Sequence, residues 1–148
     1  MSSARRQIAS KRTCANCQTV LRGPSTHESV EALTDRVCRL LRKLPIQEKA
    51  RFCLQLALHE ALGNAVEHGN RNDPSKQVTV TCSWQAHQVT LIVDDEGDGF
   101  DATDLPDPTA PENLLKENGR GIFLIGRYAD ECRFENHGRR IVIIKRLP

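Results

Sequence analysis

The chain has 148 residues, 39% of them hydrophobic and 27% charged, with a formal net charge of +2, the composition of one ordinary folded domain with its own core. No apolar run approaches the ~20 residues of a membrane helix, and the opening MSSARRQIASKR lacks the apolar stretch of a secretory signal, so a cytoplasmic protein is expected and a membrane span is not. The charge is uneven: residues 1–27 carry Arg5, Arg6, Lys11, Arg12 and Arg22 with no acid, while the remainder is net −3. A body that is not basic, behind an arm without interleaved aromatics, gives no reason to expect direct nucleic-acid binding.

Residues 1–24 read as a basic, solvated arm and residues 25–148 as a single domain. Within the arm, Cys14-Ala-Asn-Cys17 has the spacing of a metal or redox pair. No second close pair completes the four ligands of a structural zinc, and the polar tail around it is not a strand-to-helix context. It reads as two thiols in a mobile segment, and all six cysteines read as reduced.

After Pro24, Ser25-Thr26-His27-Glu28 has the form of a capping box on Ser25. The helix that follows places Val30, Leu33, Val37, Leu40, Leu41 and Leu44 on one stripe. Pro45 opens a second helix, at the position where proline is tolerated, which runs to about Glu67 and is stopped by His68-Gly69-Asn70. On it, Glu60, Asn64 and His68 follow an i, i+4, i+8 spacing and form one polar row beside the core stripe.

The period then switches from helical to alternating. Val78, Val80, Cys82 and Trp84 predict one half-buried strand, and Val89, Leu91 and Val93 a second across a turn at Gln85-Ala86-His87. A third, shorter strand is expected around Cys132–Asn136. A fourth, from Ile141 to Lys145, is apolar on both faces and therefore interior. Between the strand pairs lie a proline-rich stretch (Pro106, Pro108, Pro111) and a helix starting near Gly121. Helices segregated from antiparallel hairpins imply an α+β two-layer sandwich with the helices on one face of a largely antiparallel sheet.

Two glycine clusters carry chemistry. Asp94-Asp95-Glu96-Gly97-Asp98-Gly99 follows a strand, and Asn118-Gly119-Arg120-Gly121 precedes a helix. Free N–H groups at a helix start beside Gly119 and Gly121 suit a phosphate. The dinucleotide fingerprint Gly-x-Gly-x-x-Gly and the Gly-Lys-Ser/Thr of a P-loop are both missing, so the phosphate cradle belongs to another class.

Glu60-x-x-x-Asn64 on a helix, Asp95-x-Gly97-x-Gly99 after a strand and Gly119-x-Gly121 before a helix resemble, in that order, the three boxes of the GHKL ATPases, whose ATP-binding domain has the Bergerat fold. The segment from His59 to Gly69 is most similar to the first box of the anti-sigma-factor serine kinase branch, the RsbW type. Leu105-Pro106-Asp107-Pro108 with Pro111-Glu112-Asn113-Leu114-Leu115 resembles that branch's lid, and the resemblance covers residues 25–147.

The resemblance implies ATP and Mg²⁺ as cofactors. Asp95 would accept a hydrogen bond from the adenine amino group, with Gly97 and Gly99 letting the backbone approach base and ribose. Asn64 would give a neutral oxygen to magnesium, a hard cation that takes oxygen ligands. Glu60, one turn earlier, would accept the proton of an attacking hydroxyl. Gly119, Arg120 and Gly121 would line the phosphates; Arg120 could equally face solvent. His68 could contact phosphate or simply sit at the helix terminus. The branch implies phosphorylation of a serine on a STAS-type anti-sigma factor antagonist, a sigma factor as second partner, and a homodimer. A nucleotide-dependent sequestering module with little transferase activity is the alternative.

Overall fold

In the computed structural model, residues 16–99 and 125–147 are described. Five strands, β1 (Asn16–Pro24), β2 (Gln77–Gln85), β3 (Gln88–Asp94), β4 (Glu131–Glu135) and β5 (Arg140–Arg146), form one sheet in the order β1-β2-β3-β5-β4. Every described pairing is antiparallel. Helices α1 (His27–Arg42) and α2 (Glu48–Asn64) pack on each other, α1 also on β1 and α2 on β3 and β5. The architecture is the expected α+β sandwich.

The core lies between the layers. Val78, Val80, Cys82 and Trp84 of β2 are buried alternately with half-exposed Thr79, Thr81 and Ser83, the period of a strand with one covered face. Val30, Leu33, Val37 and Leu41 of α1 meet Leu54, Leu58, Ala61 and Leu62 of α2 in that core. Leu58 and Leu62 are fully buried, so truncating either to alanine costs about 2–5 kcal/mol. In β5, Val142 and Ile144 are buried as well as Ile141 and Ile143, as its two-sided apolar run requires of an interior strand.

Three sequence expectations are corrected. The first concerns the arm, whose last nine residues are β1. Leu21 pairs with Val80 and faces the helices, while Val20 pairs with Thr81 and is exposed. Leu21 is the one buried apolar residue of the strand and its neighbour Val20 is apolar but exposed, so no apolar–polar alternation announces a strand. Second, the N-cap of α1 is Thr26, whose Oγ1 accepts from the Ser29 N–H at 3.2 Å. Ser25 cannot cap because it is buried and turned inward to Asn70. Third, α2 starts at Glu48 and not at Pro45, since Ile46 is drawn into the core and holds the chain off the helix axis for three residues.

The connections between strands are tight. Ala86 and His87 take φ of 47° and 62°, the left-handed pair of a two-residue hairpin between β2 and β3. Asn136, His137 and Gly138, with φ of 53°, 55° and 81°, turn the chain from β4 to β5. Ahead of β4, residues 125–128 are helical, the described part of the helix expected near Gly121, and Ile125 is fully buried in the core.

Candidate functional site

The site grows from the end of α2. Glu60 and Asn64 stand one turn apart, both half-exposed, beside fully buried Ala61 and Leu62. After Asn64 the chain does not stop but widens into a π-turn, Ala65–Gly69. Such turns recur at functional sites because they re-aim the side chains that follow them. The wider turn takes His68 off the α-helical row set by Glu60 and Asn64, and it is exposed. Termination comes from the Asn70 N–H on Ala65 O and the Asn72 N–H on Val66 O, both at 2.8 Å, with Arg71 and Asn72 left-handed at φ of 52° and 56°.

The π-turn delivers Gly69 against the loop that follows β3. A Cβ on Gly69 would overlap the Asp95 carboxylate, and one on Gly97 would overlap the Gly69 carbonyl. Gly99 has φ of 76°, and a Cβ there would overlap the His137 carbonyl of the β4–β5 turn. Both glycines of the Asp-x-Gly-x-Gly segment are therefore demanded by the protein's own backbone, before any ligand approaches.

The adjacent aspartates have different tasks. Asp94 faces Arg140 across the β3–β5 pair, with Arg140 Nε donating to Oδ1 at 2.6 Å. Asp95 is half-buried; its N–H goes to Arg139 O at 2.9 Å and its Oδ1 accepts from the Gly97 N–H at 2.8 Å. Among the described residues Oδ2 accepts no hydrogen bond, which leaves it open to a donor. Burial raises the Asp95 carboxyl above its ordinary value, opposed by the Gly97 N–H and by the nearby charge of Arg139. A half-buried acceptor is what recognition of an amino group asks for.

For magnesium, the residues present fit in a limited way. Asn64 offers a neutral oxygen on a half-exposed helix face, and no cluster of three His, Cys, Asp or Glu exists among the described residues. An ion there would take most of its oxygens from phosphate and water, the habit of magnesium at nucleotide sites. Gly119, Arg120 and Gly121, with the lid segment, lie outside the described residues.

A profile of the histidine kinase-like ATPase domain matches residues 23–145. The chain belongs to this family. Its relatives make it an RsbW-like histidine kinase-like ATPase domain. It is 32% identical over 90 residues to the serine-protein kinase RsbW of Bacillus subtilis, covering 57% of this chain and 56% of that protein. It is 31% identical over 101 residues to the anti-sigma F factor of Anoxybacillus flavithermus, covering 64% and 68%. The matched stretch thus spans little more than half of the RsbW relatives. A crystal structure of the RsbU and RsbW domains of Rv1364c from Mycobacterium tuberculosis shares the fold, with a TM-score of 0.61 over 88% of this chain and 32% of that one, at 16% identity.

Two site residues of this ATPase domain have no separate mark in the sequence. Gly69 and Asn70 look like a helix stop, and nothing in their spacing shows that one packs on Asp95 and the other bonds to the loop behind it. No described helix is long and apolar enough to cross a membrane.

Proposed function

We propose that this chain is an ATP-dependent protein serine kinase of the RsbW type. In this reading it holds a sigma factor and phosphorylates a serine of a STAS-type antagonist, as a homodimer in the cytoplasm. The observation that carries the reading is the seam between α2 and the β3 loop. A carboxylate and a carboxamide one turn apart on α2 lead into a π-turn that packs on a half-buried aspartate with an open acceptor oxygen. The name of one relative, anti-sigma F factor, supports a sigma factor as a partner.

Asp95 Oδ2 accepts from the adenine amino group; guanine carries a carbonyl oxygen at that place and would be repelled. Asn64 would hold a magnesium ion, which would supply neutralisation of phosphate charge. Glu60 orients the serine hydroxyl and takes its proton as the serine oxygen bonds to the γ-phosphorus. The bond from the γ-phosphorus to the β,γ-bridging oxygen breaks in line, and ADP leaves with that electron pair. Gly119, Arg120 and Gly121 line the phosphates, and His68, exposed at the π-turn, is at most an outer contact.

The test incubates the full chain with γ-labelled ATP, magnesium and a STAS-domain protein, with phosphoserine located by mass spectrometry. The wild-type chain labels one serine, and Glu60→Gln binds ATP without labelling. Binding without transfer in the wild-type chain would overturn the kinase in favour of a nucleotide-dependent sequestering module.

A further inference from the structure

Asn70 is fully buried, and every polar group of its side chain is used. Nδ2 donates to Ser25 Oγ at 2.5 Å and to Gln77 O at 3.0 Å, and Oδ1 accepts from the Glu96 N–H at 2.7 Å. The orientation of the amide follows from its partners, since a peptide N–H only donates and a carbonyl only accepts. One side chain thus joins the end of the π-turn, the entry to α1, the start of β2 and the loop after β3.

The peptide N–H held by Asn70 is the one immediately after Asp95. On the other side of Asp95, its own N–H is held by Arg139 O. The two peptide groups that flank this residue are therefore each pinned by a different partner, Arg139 and Asn70, which restricts its backbone torsions. The Gly97 N–H then holds Oδ1 and limits the side-chain torsions, so that Oδ2 has one direction to face.

We infer that Asn70 is the positioning residue for base recognition: it holds the loop so that the Asp95 carboxylate meets the amino group of the adenine ring. The inference rests on the reading of Asp95 as the adenine acceptor. Asn70 touches no nucleotide in this scheme and acts through Glu96 and Asp95 alone.

The discriminating probe pair is ATP and purine riboside triphosphate, which lacks only the amino group. Each is titrated into the full chain by calorimetry, alongside amide hydrogen exchange of the nucleotide-free protein. The wild-type chain prefers ATP by about tenfold, the worth of one hydrogen bond to a charged acceptor. In Asn70→Ser the preference collapses towards one through loss of ATP affinity, while affinity for the analogue changes little and exchange quickens at Glu96 and Gly97 but not along β3. Ser25→Ala, which removes a partner of Asn70 without touching Glu96, keeps the preference.

A folded Asn70→Ser chain that still prefers ATP, or that weakens both nucleotides equally, overturns the inference, because a merely structural residue would do that. If the serine variant does not fold, Asn70→Asp keeps the acceptor for Glu96. Preference then persists with Glu96 protected, and loss of preference with Glu96 still protected overturns the inference. A wild-type chain that binds both nucleotides equally removes Asp95 as base reader, and the inference with it. A wild-type chain that binds neither contradicts the proposed function itself, and unchanged exchange at Glu96 in Asn70→Ser would then overturn the positioning role on its own.

Discussion

The two sides of the site are built on opposite principles. Glu60 and Asn64 project from a regular helix whose backbone bonds are complete without them, and their side chains are half-exposed. The loop from Asp95 to Gly99 is packed backbone against backbone, with Gly97 on the Gly69 carbonyl and Gly99 on the His137 carbonyl. Side-chain chemistry on a helix face can change with little effect on folding, whereas a loop held by carbonyl contacts and one buried amide has no slack. Function and stability are separable on the first side and joined on the second.

The largest separation is expected at Glu60. Glu60→Gln lowers the rate of phosphoryl transfer by about 10²–10⁴, the range for a general base, and leaves the thermal midpoint and ATP affinity nearly unchanged, since surface substitutions stay within about 0.5 kcal/mol. A matching loss of stability would show that the α2 side is not independent of the fold.

Gly97→Ala is the opposite case. The added methyl group meets the Gly69 carbonyl, so stability falls by about 1–3 kcal/mol in a denaturant melt and ATP affinity falls with it. A stable variant that merely binds ATP poorly would mean that Gly97 serves the ligand and not the loop.

Asp95→Asn lies between the two. It weakens ATP binding by about 10- to 100-fold by replacing a charged acceptor, yet it raises the thermal midpoint at neutral pH. Burial raises the Asp95 carboxyl above its ordinary value of 3.8, so the ionised group opposes folding above its folded-state pKa, and that penalty vanishes as pH falls below the ordinary value. The stabilising effect of the asparagine should fade over the same acidic range. A variant less stable than wild type at neutral pH would contradict the burial argument.

The smallest effect is a shift in the pH profile of wild-type binding. Protonation of Asp95 puts a hydrogen where the adenine amino group needs an acceptor. ATP affinity should therefore decline on acidification, beginning at a higher pH than an exposed aspartate with pKa ~3.9 would allow. Indifference to pH down to that point would exclude an ionised Asp95 from the contact.

The same contrast explains what was legible in the sequence. Periodicity exposes α2 and its polar pair, because a helix writes its faces into residue spacing; the alternation of β2 and β3 is equally plain. The glycines of the β3 loop stand out too, although ligand approach accounts for them only by analogy while the structure gives two carbonyl contacts. What spacing does not show is set by distant partners. Asn70 lies 45 residues from Ser25 and 26 from Glu96, and those contacts turn a helix stop into a loop anchor and move the α1 cap from Ser25 to Thr26. β1 is hidden for a related reason, since its strand character comes from pairing with β2 and not from its own polar alternation.

The most direct test is calorimetric titration of the wild-type chain and Asp95→Asn with ATP, with and without magnesium. Binding that strengthens with magnesium in the wild-type chain and is about 10- to 100-fold weaker in the folded variant is the expected result. No binding by the wild-type chain at near-millimolar ATP, or equal binding by both chains, would contradict the assignment of a nucleotide site to this seam.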